Sequence, residues 1–418
     1  MRDDLADLAD LAHRSPPPLG RSRPLVGLAA VALLAAACSN ANHSAFVPAP
    51  APTTAPASTA VHTVPGMPPV LDPTNLYSAA GANMFSPAVA GALQLVYVPN
   101  LGSNTVSVIN PATRTVIRTF RVGSDPEHVV PSYNLQTLWV TNNAEGQTSG
   151  SLTPINPKTG TPGPSIPVAD PYNLYFTPDG KSAIVVAEAL KRLDFRDPTT
   201  MALQYSIPVP NCAGVNHADF SIDGTYMIAS CEFQGDLVKI DLVHHRVVGY
   251  LNLVSSGMPQ DVRVSPNGTT FYVAELTTGR VYLVDGASFR VIGSIRTGVG
   301  PHGLYFSRDD TKLYVANRGF ASLQGTHPHG PGNVSVIDLA TNKVVDTWTI
   351  PGGGSPDMGG VSADGSELWL SGRYDNVVYV FNTSSGAVQK IPVGVQPHGL
   401  LVWPQPGRYS VGHTGNMR

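Results

Sequence analysis

Histidines and carboxylates recur in this chain beside prolines that open short apolar runs. PEHVV, PHGLYF, SPDMGG and QPHGLL place His128, His302, Asp357 and His398 just after such a proline, and His217 in VNHADF and Asp261 in PQDVRV hold the matching places. A neutral imidazole offers a lone pair to a borderline transition ion such as copper or zinc, and a neighbouring carboxylate supplies charge or orients the ring. Arg318 in VANRG and Arg373 in LSGRY follow matching apolar runs, and planar guanidinium groups suit bidentate capture of a carboxylate or phosphate. The expected ligand-binding set is therefore His128, His217, Asp261, His302, Arg318, Asp357, Arg373 and His398, for a small polar or anionic ligand, a metal or a protein partner. The metal candidates are His128, His217, His302 and His398, joined by His327 and His329 of THPHGPG. A competing reading gives the same histidines and aspartates a structural task, satisfying backbone groups in tight turns.

Missing motifs bound the chemistry. The chain has no HExxH or CxxC spacing, no CxxCH for covalent haem and no GxSxG nucleophile elbow. A lactonase-like hydrolase needs none of these, and would use Glu188, Glu275 and a corner histidine as acid and base; a copper-dependent oxidoreductase would use the imidazoles. Lys plus Arg number 26 against 29 Asp plus Glu, a net charge of −3 that lacks the basic excess of a nucleic-acid binder.

The elements that must hold these residues are short strands. Charged residues are 13% of the 418, about half the globular norm, while 41 Gly and 38 Pro punctuate the chain too often for long helices. Val106 and Val108 alternating with Ser107 and Ile109 show the period of two expected of a strand with one buried face. The proline corners fall at Pro126, Pro171, a degenerate copy near Gly214, then Pro259, Pro301, Pro356 and Pro397, at intervals of roughly 40–55 residues, the length of one four-stranded propeller blade. Seven corners predict seven blades, with an insertion over 318–332. The strand HGLLVW (398–403) after the last corner is expected to fill the innermost place of the first blade and close the ring. The expected fold is an all-β, seven-bladed β-propeller over residues 76–404.

YVPN at 97–100 and YVAN at 314–317, followed by VSVIN or VSVID and by VG or TG before a proline corner, resemble the YVTN-repeat, or YncE-like, seven-bladed propeller family. The resemblance covers roughly 94–403 and implies the fold. It implies little about chemistry, because such propellers include binding proteins, lactonases, and copper or haem oxidoreductases.

The ends carry separate signals. Arg21 and Arg23, an apolar run too short to span a membrane, and LAAAC ending at Cys38 resemble a bacterial lipoprotein signal over 1–37, with an unusual acidic extension before it. Lipidation at Cys38 would anchor the protein on the extracytoplasmic side of the membrane, with the Pro/Ala/Ser/Thr-rich stretch 38–75 as a tether. In that oxidising location Cys212 and Cys231 are expected to pair, with free thiols or a metal-linked pair as alternatives. The tail 405–418 is either a flexible end or a segment packed across the bottom of the propeller. A monomer is expected.

Overall fold

The structure, a computed structural model, describes residues 60–322 and 330–418. Seven antiparallel sheets, six of four strands and one that the tail extends from four to six, follow one another around a central channel, and apart from the strands there are only two short 3-10 turns among the described residues. Each blade starts at a corner. The inner strands Pro126–Pro131, Pro171–Phe176, Val215–Phe220, Pro259–Val264, Pro301–Phe306 and Pro356–Val361 are buried almost throughout, while outer strands such as Thr115–Arg121 and Arg290–Arg296 are largely exposed. This gradient explains the composition. Inner strands have no polar alternation because both faces meet neighbouring blades, whereas outer strands alternate with solvent.

Turn chemistry at the far end of the inner strands is equally regular. Thr177-Pro-Asp-Gly, Ser221-Ile-Asp-Gly, Ser265-Pro-Asn-Gly and Ser362-Ala-Asp-Gly each place glycine at φ 71–82°, a left-handed conformation that favours it. In three of them the serine hydroxyl donates to the Asp or Asn two residues on. These turns define what we call the bottom of the ring; the corners lie at the top.

The ring closes as the sequence implies. Leu401–Trp403 pairs antiparallel with Leu95–Asn100, setting Leu401 opposite Tyr97 and Trp403 opposite Leu95, so strands from both ends of the ring share one blade. The regular strand is shorter than 398–403, because His398 and Gly399 fall in an irregularity between the bridge Asn100–Pro397 and Leu401.

Both chain ends extend the folded unit. Residues 64–75, assigned above to the tether, are held on the bottom face: Val64 N–H donates to Asp223 O (2.9 Å), Lys181 Nζ to Pro65 O (2.7 Å) and Leu76 N–H to Pro266 O (2.7 Å). The tail is not free. Ser410–Gly412 and Asn416–Met417 form a hairpin on the inner edge of blade three, inside the channel, and Tyr409 and Val411 join the core between blades three and four. Cys38 and the rest of 1–59 lie outside the described residues, as do His327 and His329.

Cys212 and Cys231 form a disulfide, with Cα atoms 4.8 Å apart, that fastens the corner lacking proline to the end of the second strand of blade four. The bridge closes a loop of 19 residues in sequence separation. Loop-closure entropy assigns it about 3 kcal/mol. A Cys212→Ala/Cys231→Ala protein should therefore denature at clearly lower denaturant concentration than the parent; equal midpoints would show that the corner is held without it.

Candidate functional site

One backbone irregularity shapes the channel. Just after each corner, the inner strand carries one residue more than its neighbour: Pro126 and His128 oppose Asn142 and Thr141, and Pro301 and Leu304 oppose Asn317 and Val315. The same shift occurs at the inner strands of blades three, four, five and seven. A bulge re-aims the side chains on either side of it. Its loosened N–H groups find side-chain acceptors: His128 N–H donates to Thr141 Oγ1 (3.1 Å), His217 N–H to Ser230 Oγ (3.1 Å) and Met358 N–H to Ser371 Oγ (3.3 Å).

Two tiers follow. The first residue after each corner gives Glu127, Tyr172, Asn216, Gln260, His302, Asp357 and His398; the second gives His128, Asn173, His217, Asp261, Gly303, Met358 and Gly399. The four corner histidines are therefore not equivalent. They nevertheless converge across the ring, with ring centroids 5.5 Å apart for His128 and His217, 4.9 Å for His128 and His398, 5.8 Å for His217 and His302, and 6.0 Å for His302 and His398. A fifth imidazole, His413 of the tail, stands 4.6 Å from His217 and 5.3 Å from His128. All five are buried. Glycine at position 399 makes room for this, since a Cβ there would lie 1.9 Å from His128 Nδ1.

In the upper tier the charges pair. His302 Nδ1 lies 2.9 Å from Asp357 Oδ1, which also accepts from Arg318 Nε (2.9 Å); His398 lies between Glu127 (2.7 Å) and Asp357 (3.5 Å). Arg373 reaches Glu145 (3.3 Å) and Glu127 (4.0 Å). Both guanidinium groups expected to capture an anion are thus engaged by the protein's own carboxylates. Glu188 and Glu232 add further acidity, and Glu232 accepts from Asn216 (2.6 Å) and Gln260 (3.0 Å). Burial raises Glu188, Glu232 and Glu145, so the charge held most firmly here is that of Glu127 and Asp357, matched by Arg373 and Arg318.

The lower tier is different. Asp261 accepts from the N–H groups of Val262 and Leu304 (both 2.9 Å), tying blade five to blade six, and lies 3.3 Å from His413 Nε2. Asp219 ties blade four to blade five through Val264 N–H (2.9 Å). The structural task considered above thus fits these two aspartates. It does not fit His128, neither of whose ring nitrogens has a hydrogen-bond partner. Asn173 donates its amide to Nδ1 of both His217 (3.2 Å) and His413 (2.9 Å).

Of the acids considered for hydrolysis, Glu275 is remote in function: it accepts from Met258 N–H and from Thr277 and Thr278, capping a turn. Glu188 belongs to the mouth. Sequence reasoning missed Glu127, whose place beside His128 was the available signal, and His413, whose tail has no repeat counterpart. The surface groove of about 370 Å³ between Val64, Lys181, Tyr205 and His245 contains none of these residues.

Burial governs the protonation states. Loss of water pushes His128 and His217 well below the usual imidazole range, with neighbouring imidazoles adding to the effect, and lowers His413 despite Asp261. His302 falls to about 4 through burial and Arg318, only partly offset by Asp357. Burial opposes charge on Asp357 and Glu127 too, but Arg318 and His302 hold the first well below the carboxylate range, and Arg373 and His398 hold the second below it. Glu188, beside Glu232 and Glu127, is raised by burial and by their charge. At these imidazoles the unfolded chain, titrating near 6.5, binds more protons than the folded one between about pH 6.5 and 4, so their share of the stability falls as pH falls through that window, whereas the buried carboxylates raised by folding, Glu188 and, to about 6, Asp170 and Asp310, act with the opposite sign. For His302 alone this is on the order of 3 kcal/mol. In chelator, His302→Gln should lose less melting temperature than the parent between pH 7 and pH 4.5; equal losses would contradict a buried neutral imidazole at that position.

Comparison with known proteins agrees with the ring. The YNCE-like beta-propeller model matches residues 54–406. Among solved structures, the chain is similar to Kuenenia stuttgartiensis hydrazine synthase (19% identity, 67% of this chain and 91% of that one, TM-score 0.53). It is also similar to the dihydro-heme d1 dehydrogenase NirN (14%, 74% and 75%, TM-score 0.54) and to a candidate 6-phosphogluconolactonase of Bacteroides uniformis (17%, 73% and 98%, TM-score 0.57). At these identities the likeness shows the fold alone. No curated protein matches the chain. With the family match extending over most of the residues and the seven-bladed ring in place, the protein belongs to the YNCE-like beta-propeller family.

Proposed function

We propose that this protein is an exported, lipid-anchored binding propeller whose channel takes a borderline transition-metal ion, copper or zinc, among neutral imidazoles. The observation that carries this reading is His128: wholly buried, surrounded by His217, His398 and His413, and without a partner for either ring nitrogen. An unmet buried donor or acceptor costs about 1–3 kcal/mol, and a ligand that accepts the lone pair removes that cost. Depressed imidazole basicity keeps the lone pairs available at neutral pH. An anionic ligand would have to break the Arg318–Asp357 and Arg373–Glu145 pairs. Export and anchoring are supported by the segment ending at Cys38.

A second reading, lactonase-like hydrolysis, draws on the His302–Asp357 pair beside Arg318, an oriented base next to a cation. It ranks lower because an imidazole near pH 4 is a weak base at neutral pH.

Titration of the chelated protein with zinc or copper should show saturable binding near one equivalent and a rise in melting temperature. His128→Ala should weaken that binding by more than about 100-fold, beyond the 10–100-fold cost of losing an outer-shell partner. Absence of stoichiometric metal, or equal binding by His128→Ala, would refute the reading. Separately, Cys38→Ser should move the protein from the membrane to the soluble fraction of its host; unchanged membrane association would refute the anchor.

A further inference from the structure

The tail enters the channel from below and stops at the lower tier. Gly412 pairs with Tyr175 on the inner strand of blade three, and His413 N–H donates to Leu174 O (3.0 Å). The last residue is fastened as well: Arg418 O accepts from Arg408 N–H (2.8 Å), and its guanidinium contacts Asp219. His413 is thereby fixed beside His217 and His128, and each of the three can offer one nitrogen within 4.8 Å of the others.

Two observations point to an ion at this place. The first is His128, buried with no hydrogen bond to its ring. The second is the convergence of His217 Nδ1 and His413 Nδ1 on one donor, the amide nitrogen of Asn173, at 3.2 and 2.9 Å. The amide cannot be reversed without loss, because Leu174 N–H donates to Asn173 Oδ1 (2.8 Å). A cation at the amide position would meet the same two lone pairs.

We propose that His128, His217 and His413 form a three-imidazole site for a divalent transition ion, and that docking of the tail, which supplies the third ligand, is coupled to ion binding. The proposal rests on the channel-binding reading above and assigns its ligands. Bonds of about 2.0–2.1 Å to nitrogen require the three donors to draw together and Asn173 to release them. Asp261, 3.3 Å from His413 Nε2, is placed to hold the far side of that ring, the task of an outer carboxylate at a histidine ligand. An ion that binds the docked tail better than the undocked one stabilises docking by mass action.

The test is hydrogen exchange, read by mass spectrometry on the purified full-length protein with chelator or with saturating zinc alone. Zinc should slow exchange over 405–418 by at least about tenfold. In His413→Gln that tail-specific protection should vanish and zinc affinity should fall at least about tenfold, with the blades' exchange in chelator unchanged. If zinc binds the parent but neither tail exchange nor the affinity of His413→Gln changes, the tail has no ligand role and the channel reading stands. If neither zinc nor copper binds the parent, both fall. Should His413→Gln fail to dock its tail in chelator, the parent's own comparison decides: slowed tail exchange supports the coupling and unchanged exchange overturns it.

Discussion

The bulge after each corner is the constraint on which the channel depends. A seven-bladed ring has one axis, and an inner strand with regular pleat would send alternate residues toward it at even spacing. The extra residue at the corner breaks that spacing and brings two successive positions of each blade to the channel at its top. Everything placed there is screened from water by the blades around it. Polar side chains in such a place must satisfy one another or a ligand, since burying them unmet is costly.

The two tiers meet that demand differently. Above, positive and negative groups are matched: Arg318 with Asp357, Arg373 with Glu145 and Glu127, His398 between two carboxylates. Below, aspartates are occupied with backbone N–H groups that tie neighbouring blades, leaving imidazoles to face imidazoles. Each neutral ring offers one N–H and one lone pair, and Asn173 meets the lone pairs of two rings with a single amide. His128 is left over. Such an arrangement is poor as a purely structural core and well suited to a cation.

Much of this was legible in the sequence because repetition carries it. The spacing of the proline corners sets the number of blades, and the strand after Pro397 has no place except beside the first one. The same repetition put His128, His217, His302, His398, Asp261 and Asp357 on one list. It could not separate their tiers, because the bulge depends on pairing register, in which a shift of one residue changes which side chain points where. Nor could it show that Arg318 and Arg373 are engaged, since Asp357 and Glu127 belong to other blades and meet them only when the ring closes. His413 was invisible for a different reason: RYSVGHTG has no copy elsewhere in the chain, and its short strands form by adding to an edge that blade three provides. The folded part of the tether escaped notice because residues 64–75 have a low-complexity composition yet find hydrogen-bond partners in the bottom turns.

The central claim is that the imidazoles of the lower tier are ligands rather than filling. Crystals grown with zinc or copper, measured at the absorption edge of the metal, test it most directly through the anomalous difference map. The account predicts one strong peak on the channel axis, within about 2.0–2.1 Å of imidazole nitrogens from His128, His217 and His413. A channel with no peak, or density confined to exposed His62, His244 or His245, would contradict it.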